Sequence, residues 1–182
     1  EAHSNLGNVL KDLGKLQEAE LSHRKAIELN PNLPEAHSNL GTVLKDLHNL
    51  KEAELATRKA IELNPNFANA HASLGSILNN LGKLKEAELV TRKAIELNPS
   101  FALAHSNLGN ILRDLGKLQE AELSLRKAIK FNPNYARAYY SLSTLKYSND
   151  FDDNKIWQAK LFSESLINHK STNSKTLLSS NK

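Results

Sequence analysis

Residues 1–33 read EAHSNLGNVLKDLGKLQEAELSHRKAIELNPNL, and residues 35–67 read EAHSNLGTVLKDLHNLKEAELATRKAIELNPNF. The two stretches agree at 26 of 33 positions. Ala2, Ala36, Ala70, Ala104 and Ala138 stand 34 residues apart, as do Gly7, Gly41, Gly75 and Gly109, and Pro31, Pro65, Pro99 and Pro133. A fixed period of this length means stacked copies of one small unit, none of which buries its apolar face alone. The units span 1–33, 34–67, 68–101 and 102–135. A degenerate fifth unit with a capping helix is predicted over 136–169, the helix itself over 153–169 on the stripe Ile156, Ala159, Phe162 and Leu166. Residues 170–182, rich in Ser, Asn and Lys, read as a disordered tail.

Each unit predicts two helices. Leu6, Val9, Leu10 and Leu13 fall at i, i+3, i+4 and i+7, one face of a helix. Gly14 punctuates it; Gly82 and Gly116 recur at that place, with His48 in unit two. The second helix carries Leu16, Ala19, Leu21, Ala26, Ile27 and Leu29 and stops at Asn30-Pro31, because the residue before proline is pushed out of the helical region. Asn32, Asn66, Ser100 and Asn134 are expected to cap the next helix. Gly7, Ala19 and Ala26 are small where paired helices approach within about 8–10 Å. The expected fold is all-α: a stacked α-solenoid of about ten helices with no sheet.

The period, Leu6-Gly7, Ala19, Ala26 and Pro31 resemble the tetratricopeptide repeat, across about residues 1–135. His3, His37, His71 and His105 stand where that family usually has an aromatic, as do His23, Thr57, Thr91 and Leu125 in the second helices. The resemblance implies a right-handed α-solenoid whose first helices line a concave groove. There lie Asn5, Asn8 and Asp12 in unit one, Asn39, Thr42 and Asp46 in unit two, Ser73 in unit three, and Asn107, Asn110 and Asp114 in unit four. Their amides and hydroxyls donate and accept, which suits an extended peptide backbone. The Asn5, Asn39 and Asn107 series is similar to the asparagine ladder of O-linked N-acetylglucosamine transferase repeats, with Ser73 interrupting it. Ser4, Lys11, Lys45, Arg113 and Tyr140 are read as selectivity residues. The carboxylate clamp of Hsp90-type repeats is excluded. Asn8 and Asn39 match its asparagines, but Ser4, Asn69 and Ser73 fill its three basic places.

Composition narrows the chemistry. With no cysteine in 182 residues, disulfides, thiolate nucleophiles and Cys-based metal sites are excluded. The histidine ladder is one residue per repeat, too widely spaced for a shared ion, so packing is expected and neither metal nor cofactor is predicted. No phosphate loop, HExxH or GxGxxG is present, and no active site is expected. No stretch of about 18 apolar residues spans a membrane. Net charge climbs from −1, −1, +1 and +2 in units one to four to +3 over residues 136–182. The basic residues are dispersed beside acids, which argues against nucleic acid and for a weakly acidic partner surface near units four and five. Glu20/Arg24, Glu54/Arg58, Glu88/Arg92 and Glu122/Arg126 mark a solvated outer face.

The functional expectation is a scaffold, not an enzyme, that binds a protein or peptide segment in its groove. A cytoplasmic location is expected, and starting at Glu1 without any Met, the chain reads as a fragment. The alternative is a presenting arm of a larger sulfotransferase- or glycosyltransferase-type enzyme. It rests on Tyr139-Tyr140-Ser141-Leu142, Ile156-Trp157 and Leu161-Phe162-Ser163, which look like the junction in marine cyanobacterial repeat proteins that continue into a sulfotransferase domain.

Overall fold

The computed structural model describes residues 2–146, and these form nine α-helices and no strand. The pairs are α1 (Ala2–Asp12) with α2 (Leu16–Leu29), α3 (Pro34–Asp46) with α4 (Leu50–Leu63), α5 (Ala68–Asn80) with α6 (Leu84–Leu97), and α7 (Ala102–Asp114) with α8 (Leu118–Phe131); α9 (Ala136–Lys146) opens the fifth unit. The predicted capping helix at 153–169, the tail at 170–182 and most of the junction-like stretch lie outside the described residues.

Local chemistry sets the boundaries. The first helices of units one, two, three and four end in a turn whose key residue is left-handed: Gly14, His48, Gly82 and Gly116, with φ of 75°, 62°, 73° and 76°. In unit one the Lys15 N–H reaches the Leu10 carbonyl and the Gly14 N–H the Lys11 carbonyl, a Schellman closure. Three units supply the glycine this closure favours; His48 adopts the conformation despite its Cβ. The second helices end at Asn30, Asn64, Asn98 and Asn132, each before a proline, as the sequence predicts. The expected caps, however, are misplaced by one residue. Leu33, Phe67 and Phe101 occupy the N-cap positions without a side-chain bond. Asn32, Asn66, Ser100 and Asn134 instead donate their N–H to the side-chain oxygens of Asn30, Asn64, Asn98 and Asn132, closing Asx turns around the prolines.

Packing is inter-repeat. Leu40, Leu44 and Ala53 of unit two meet Ile77 of unit three and Ile27 of unit one. The set recurs one unit on as Leu74, Leu78 and Ala87 with Ile111 and Ile61, and again as Leu108, Leu112 and Ala121 with Leu145 and Ile95. Each cluster draws on three consecutive units, so a lone unit has no core of its own. In unit one the corresponding Leu6, Val9 and Leu13 are exposed. Within units, Ala19, Ala53, Ala87 and Ala121 are fully buried where the two helices cross. A Cβ on Gly109 would lie 2.6 Å from Leu125 Cγ and 3.2 Å from the Ala121 carbonyl oxygen, so glycine sets the helix separation.

Candidate functional site

First helices of consecutive units pack on one another, whereas among the described residues the second helices reach each other only through long side chains. Closer spacing on one side bends the stack and puts the first helices on the inner face. There, α5, α7 and α9 enclose an open cavity of about 350 Å³. It is lined by Ser76, Asn79 and Asn80 from α5, by Asn107, Asn110, Ile111 and Arg113 from α7, and by Arg137, Tyr140 and Ser141 from α9.

The hydrogen-bond inventory shows which of these groups are spent. Asn79 donates its Nδ2 to Asp114 at 3.3 Å, while its Oδ1 is buried with no donor. Asn107 donates its Nδ2 to the Ala72 carbonyl at 3.0 Å, tying α7 to α5, and its Oδ1 takes no donor from the described residues. Arg113 pairs with Asp114 at 3.1 Å. Arg137 has no acidic partner among the described residues. The cavity thus offers the Asn107 and Asn110 amides, a guanidinium and a phenol.

Of the groove residues named from sequence, the cavity gathers Asn107, Asn110 and Tyr140, with Asp114 held at its margin by Asn79 and Arg113. It does not gather the remainder. Asn5 and Asp12 are exposed and Asn8, Asn39 and Ser73 half-buried on the first helices of units one to three. Thr42 donates back to the Ser38 carbonyl at 3.2 Å, and Asp46 pairs with Lys45 at 3.3 Å. One difference is substantive. Asn107 is not an exposed rung but 8% exposed, because unit three covers it and its amide bridges the repeats. Asn79 and Arg137 were not singled out by sequence, although the repeat register marks both. Asn79 takes the place of Lys11, Lys45 and Arg113, and Arg137 that of Glu1, Glu35, Asn69 and Leu103.

The histidine ladder has a different job. His37, His71 and His105 each place Nε2 within 2.8–2.9 Å of the carbonyl of Pro31, Pro65 and Pro99 respectively. A carbonyl only accepts, so Nε2 carries the proton and each ring staples a first helix to the turn before it. His105 also stacks on Phe131, with centroids 5.3 Å apart.

The outer face is more than solvated pairs. Arg24, Arg58 and Arg92 bond the predicted Glu20, Glu54 and Glu88 at 2.8 Å, and each also reaches a glutamate of the next unit, Glu52, Glu86 or Glu120. Lys83 and Lys117 reach back to Glu54 and Glu88. Hydrogen bonds from Lys83 and Arg58 hold the Glu54 carboxyl below its ordinary range. At Glu88 burial pushes upward, but bonds from Arg92 and Lys117 outweigh it and the net shift is downward. Bonds to Glu86 first, then to Glu54, raise Arg58. Unit two has Asn49 where this lysine would stand, and it turns to Glu52 instead.

Family models described as TPR repeat match residues 7–47 and 109–149, and models described as Tetratricopeptide repeat match 34–67, 56–88 and 90–122. A comparison with curated protein sequences found no significant match. Among solved structures, TTC0263, a thermophilic TPR protein of Thermus thermophilus, superposes with a TM-score of 0.80 at 21% identity, covering 97% of this chain and 98% of its own. MamA of Desulfovibrio magneticus RS-1 gives 0.69 at 20% identity, covering 93% and 94%. YrrB, described as a TPR protein with an unusual peptide-binding site, gives 0.64 at 23% identity, covering 96% and 90%. At these identities the likeness is one of fold.

Proposed function

This chain belongs to the tetratricopeptide-repeat family, and we propose that it is a non-catalytic scaffold that binds an extended segment of a partner protein along its first helices. The observation that carries this reading is the open cavity on the inner face, lined together by the Asn107 and Asn110 amides, the Arg137 guanidinium and the Tyr140 phenol. An amide side chain both donates and accepts, and an extended backbone brings N–H and C=O groups at regular intervals to meet it. Arg137 beside the amides favours a carboxylate side chain on the same segment. Among the described residues no helix is long and apolar enough to cross a membrane.

In the predicted complex Asn110 and Tyr140 line the bound segment, and the first helices of units one and two, with Asn5, Asn8, Asp12, Asn39, Thr42, Asp46 and Ser73, extend the groove beyond the cavity. The test is selection of peptides from a random display library on the immobilised protein, followed by titration of the best binder. Asn110→Ala with Arg137→Ala should cost about 2 kcal/mol, roughly 30-fold in affinity, with thermal stability unchanged. Asn107→Ala is the wrong probe, because it also strips the Ala72 carbonyl of its donor. Selected peptides whose affinity ignores both substitutions would remove the groove from consideration.

A further inference from the structure

Charges on the first helices largely cancel. Lys11 with Asp12, Lys45 with Asp46 and Arg113 with Asp114 occupy the same two register positions in units one, two and four, and unit three has Asn79 and Asn80 there. These positions are therefore neutral in each of the four units. Lys45 pairs with Asp46 and Arg113 with Asp114, and Asn79 donates to Asp114 as well. Lys146 shares its register with the core residues Leu44, Leu78 and Leu112. The histidines aside, one register position is left to set the charge along the inner face. It holds Glu35 in α3, Asn69 in α5, Leu103 in α7 and Arg137 in α9, and Glu1 shares it in sequence.

That position faces the groove, because Arg137 lines the inner-face cavity. Glu35 and Arg137 are exposed, and neither has an oppositely charged partner among the described residues. Between them Asn69 and Leu103 bring no charge. Successive first helices pack directly on one another. Three steps of about 8–10 Å separate Glu35 from Arg137, and an extended chain advances about 3.3 Å per residue, so about seven to nine residues bridge the two. That separation is well beyond the Debye length of about 8 Å in physiological salt, so each end attracts its own counter-charge independently.

Resting on the groove reading above, we propose that the partner segment is bipolar. It carries a lysine or arginine over Glu35 and a carboxylate at Arg137, with an uncharged extended stretch of that length between them. A segment acidic throughout satisfies Arg137 but sets a carboxylate against Glu35. A segment basic throughout satisfies Glu35 and is repelled at Arg137. Opposite charges at the two ends satisfy both, and they fix the placement as well, since a slide by one repeat takes the carboxylate off Arg137.

The test is selection from a random peptide display library on the immobilised protein, followed by fluorescence anisotropy of the best binder. Selected peptides should carry a basic and an acidic residue at that spacing. Replacing the peptide's carboxylate by its amide should weaken binding about fivefold on the parent, the scale of an exposed ion pair, and not at all on Arg137→Gln. Replacing its basic residue by glutamine should weaken binding about fivefold on the parent and not at all on Glu35→Gln. Raising the salt should shrink both effects. Selection on Glu35→Lys should return peptides acidic at both ends. Peptides that lose affinity to Asn110→Ala but not to Glu35→Gln, or parent selections acidic at both ends, would overturn the bipolar segment and leave the groove standing. Peptides indifferent to Asn110→Ala with Arg137→Ala, or a library that yields no binder, would take both readings down.

Discussion

His23 makes the first repeat sensitive to acid. Its imidazole is fully buried against Gly7, and neither ring nitrogen has a hydrogen-bond partner. Burial, with a smaller contribution from the Lys11 charge, lowers its pKa from 6.5 to about 4. The unfolded chain therefore takes up the proton first as pH falls. The stability tied to neutral His23 is intact above about pH 6.5 and drains away as pH drops toward 4. Between neutral pH and about pH 5 the loss amounts to about 2 kcal/mol. Glu54 and Glu88, whose pKa values are lowered, begin to withdraw stability only as pH falls through the ordinary carboxylate range, so the interval from neutral pH to about pH 5 reports mainly on His23. The control is His23→Thr. Threonine already serves at this site in unit two, where the Thr57 hydroxyl donates to the Ala53 carbonyl at 2.8 Å. Urea unfolding at about pH 7.5 and pH 5, followed by circular dichroism, should show the parent losing about 2 kcal/mol more than the variant. Because repeat arrays open locally, amide exchange should place the difference in α1 and α2. Equal acid sensitivity in parent and variant would refute the buried, neutral histidine.

Three further outcomes follow from the geometry. Gly109→Ala should destabilise by about 1–3 kcal/mol in urea unfolding, because its Cβ meets Leu125 and a backbone carbonyl that cannot retreat; Gly75→Leu should cost more, against Thr91. His48→Gly should stabilise by roughly 1 kcal/mol in a thermal melt, since φ of 62° strains a side-chain-bearing residue. Lys83→Ala and Lys117→Ala should each cost about 0.5–1 kcal/mol, the effect shrinking in high salt, because each removes a bond between neighbouring repeats on a half-open surface.

The fold was legible because the 34-residue period multiplies every weak signal. A lone Leu-x-x-Val-Leu-x-x-Leu stripe is ambiguous, but four copies in register with Gly7, Ala26 and Pro31 are not. The caps show the limit: the repeat fixes that a helix begins near Asn32, but Asn32 gives its N–H to Asn30 Oδ1 and Leu33 takes the N-cap place with no side-chain bond, a difference of one position. At the site, the polar stripe was legible and its occupancy was not. Nothing local in the sequence says that Asn107 spends its Nδ2 on Ala72, 35 residues away, because that bond exists only after unit three has stacked on unit four. Asn79 and Arg137 were within reach, had every register position been carried through to the irregular units.

Duplication copies both faces of a unit equally, so a difference between the faces needs a physical reason. On the second helices Glu20, Arg24 and their copies are the same in all four units, and the ladder gives a reason: Arg24, Arg58 and Arg92 each serve a glutamate in their own unit and one in the next, so changing one residue leaves charges unmatched in two units. The first helices carry no such mutual obligation. The series Glu1, Glu35, Asn69, Leu103 and Arg137 runs from acid to base along one register position, and Lys11, Lys45, Asn79 and Arg113 breaks at unit three. These side chains lie where one repeat's choice constrains its neighbour little, except at Asn107 and where Asn79 donates to Asp114 of the next unit. A groove whose rungs differ presents a directional pattern of charge and hydrogen bonding, which a uniform surface lacks. That asymmetry fits a partner segment held in one orientation, its acidic residues toward Arg137.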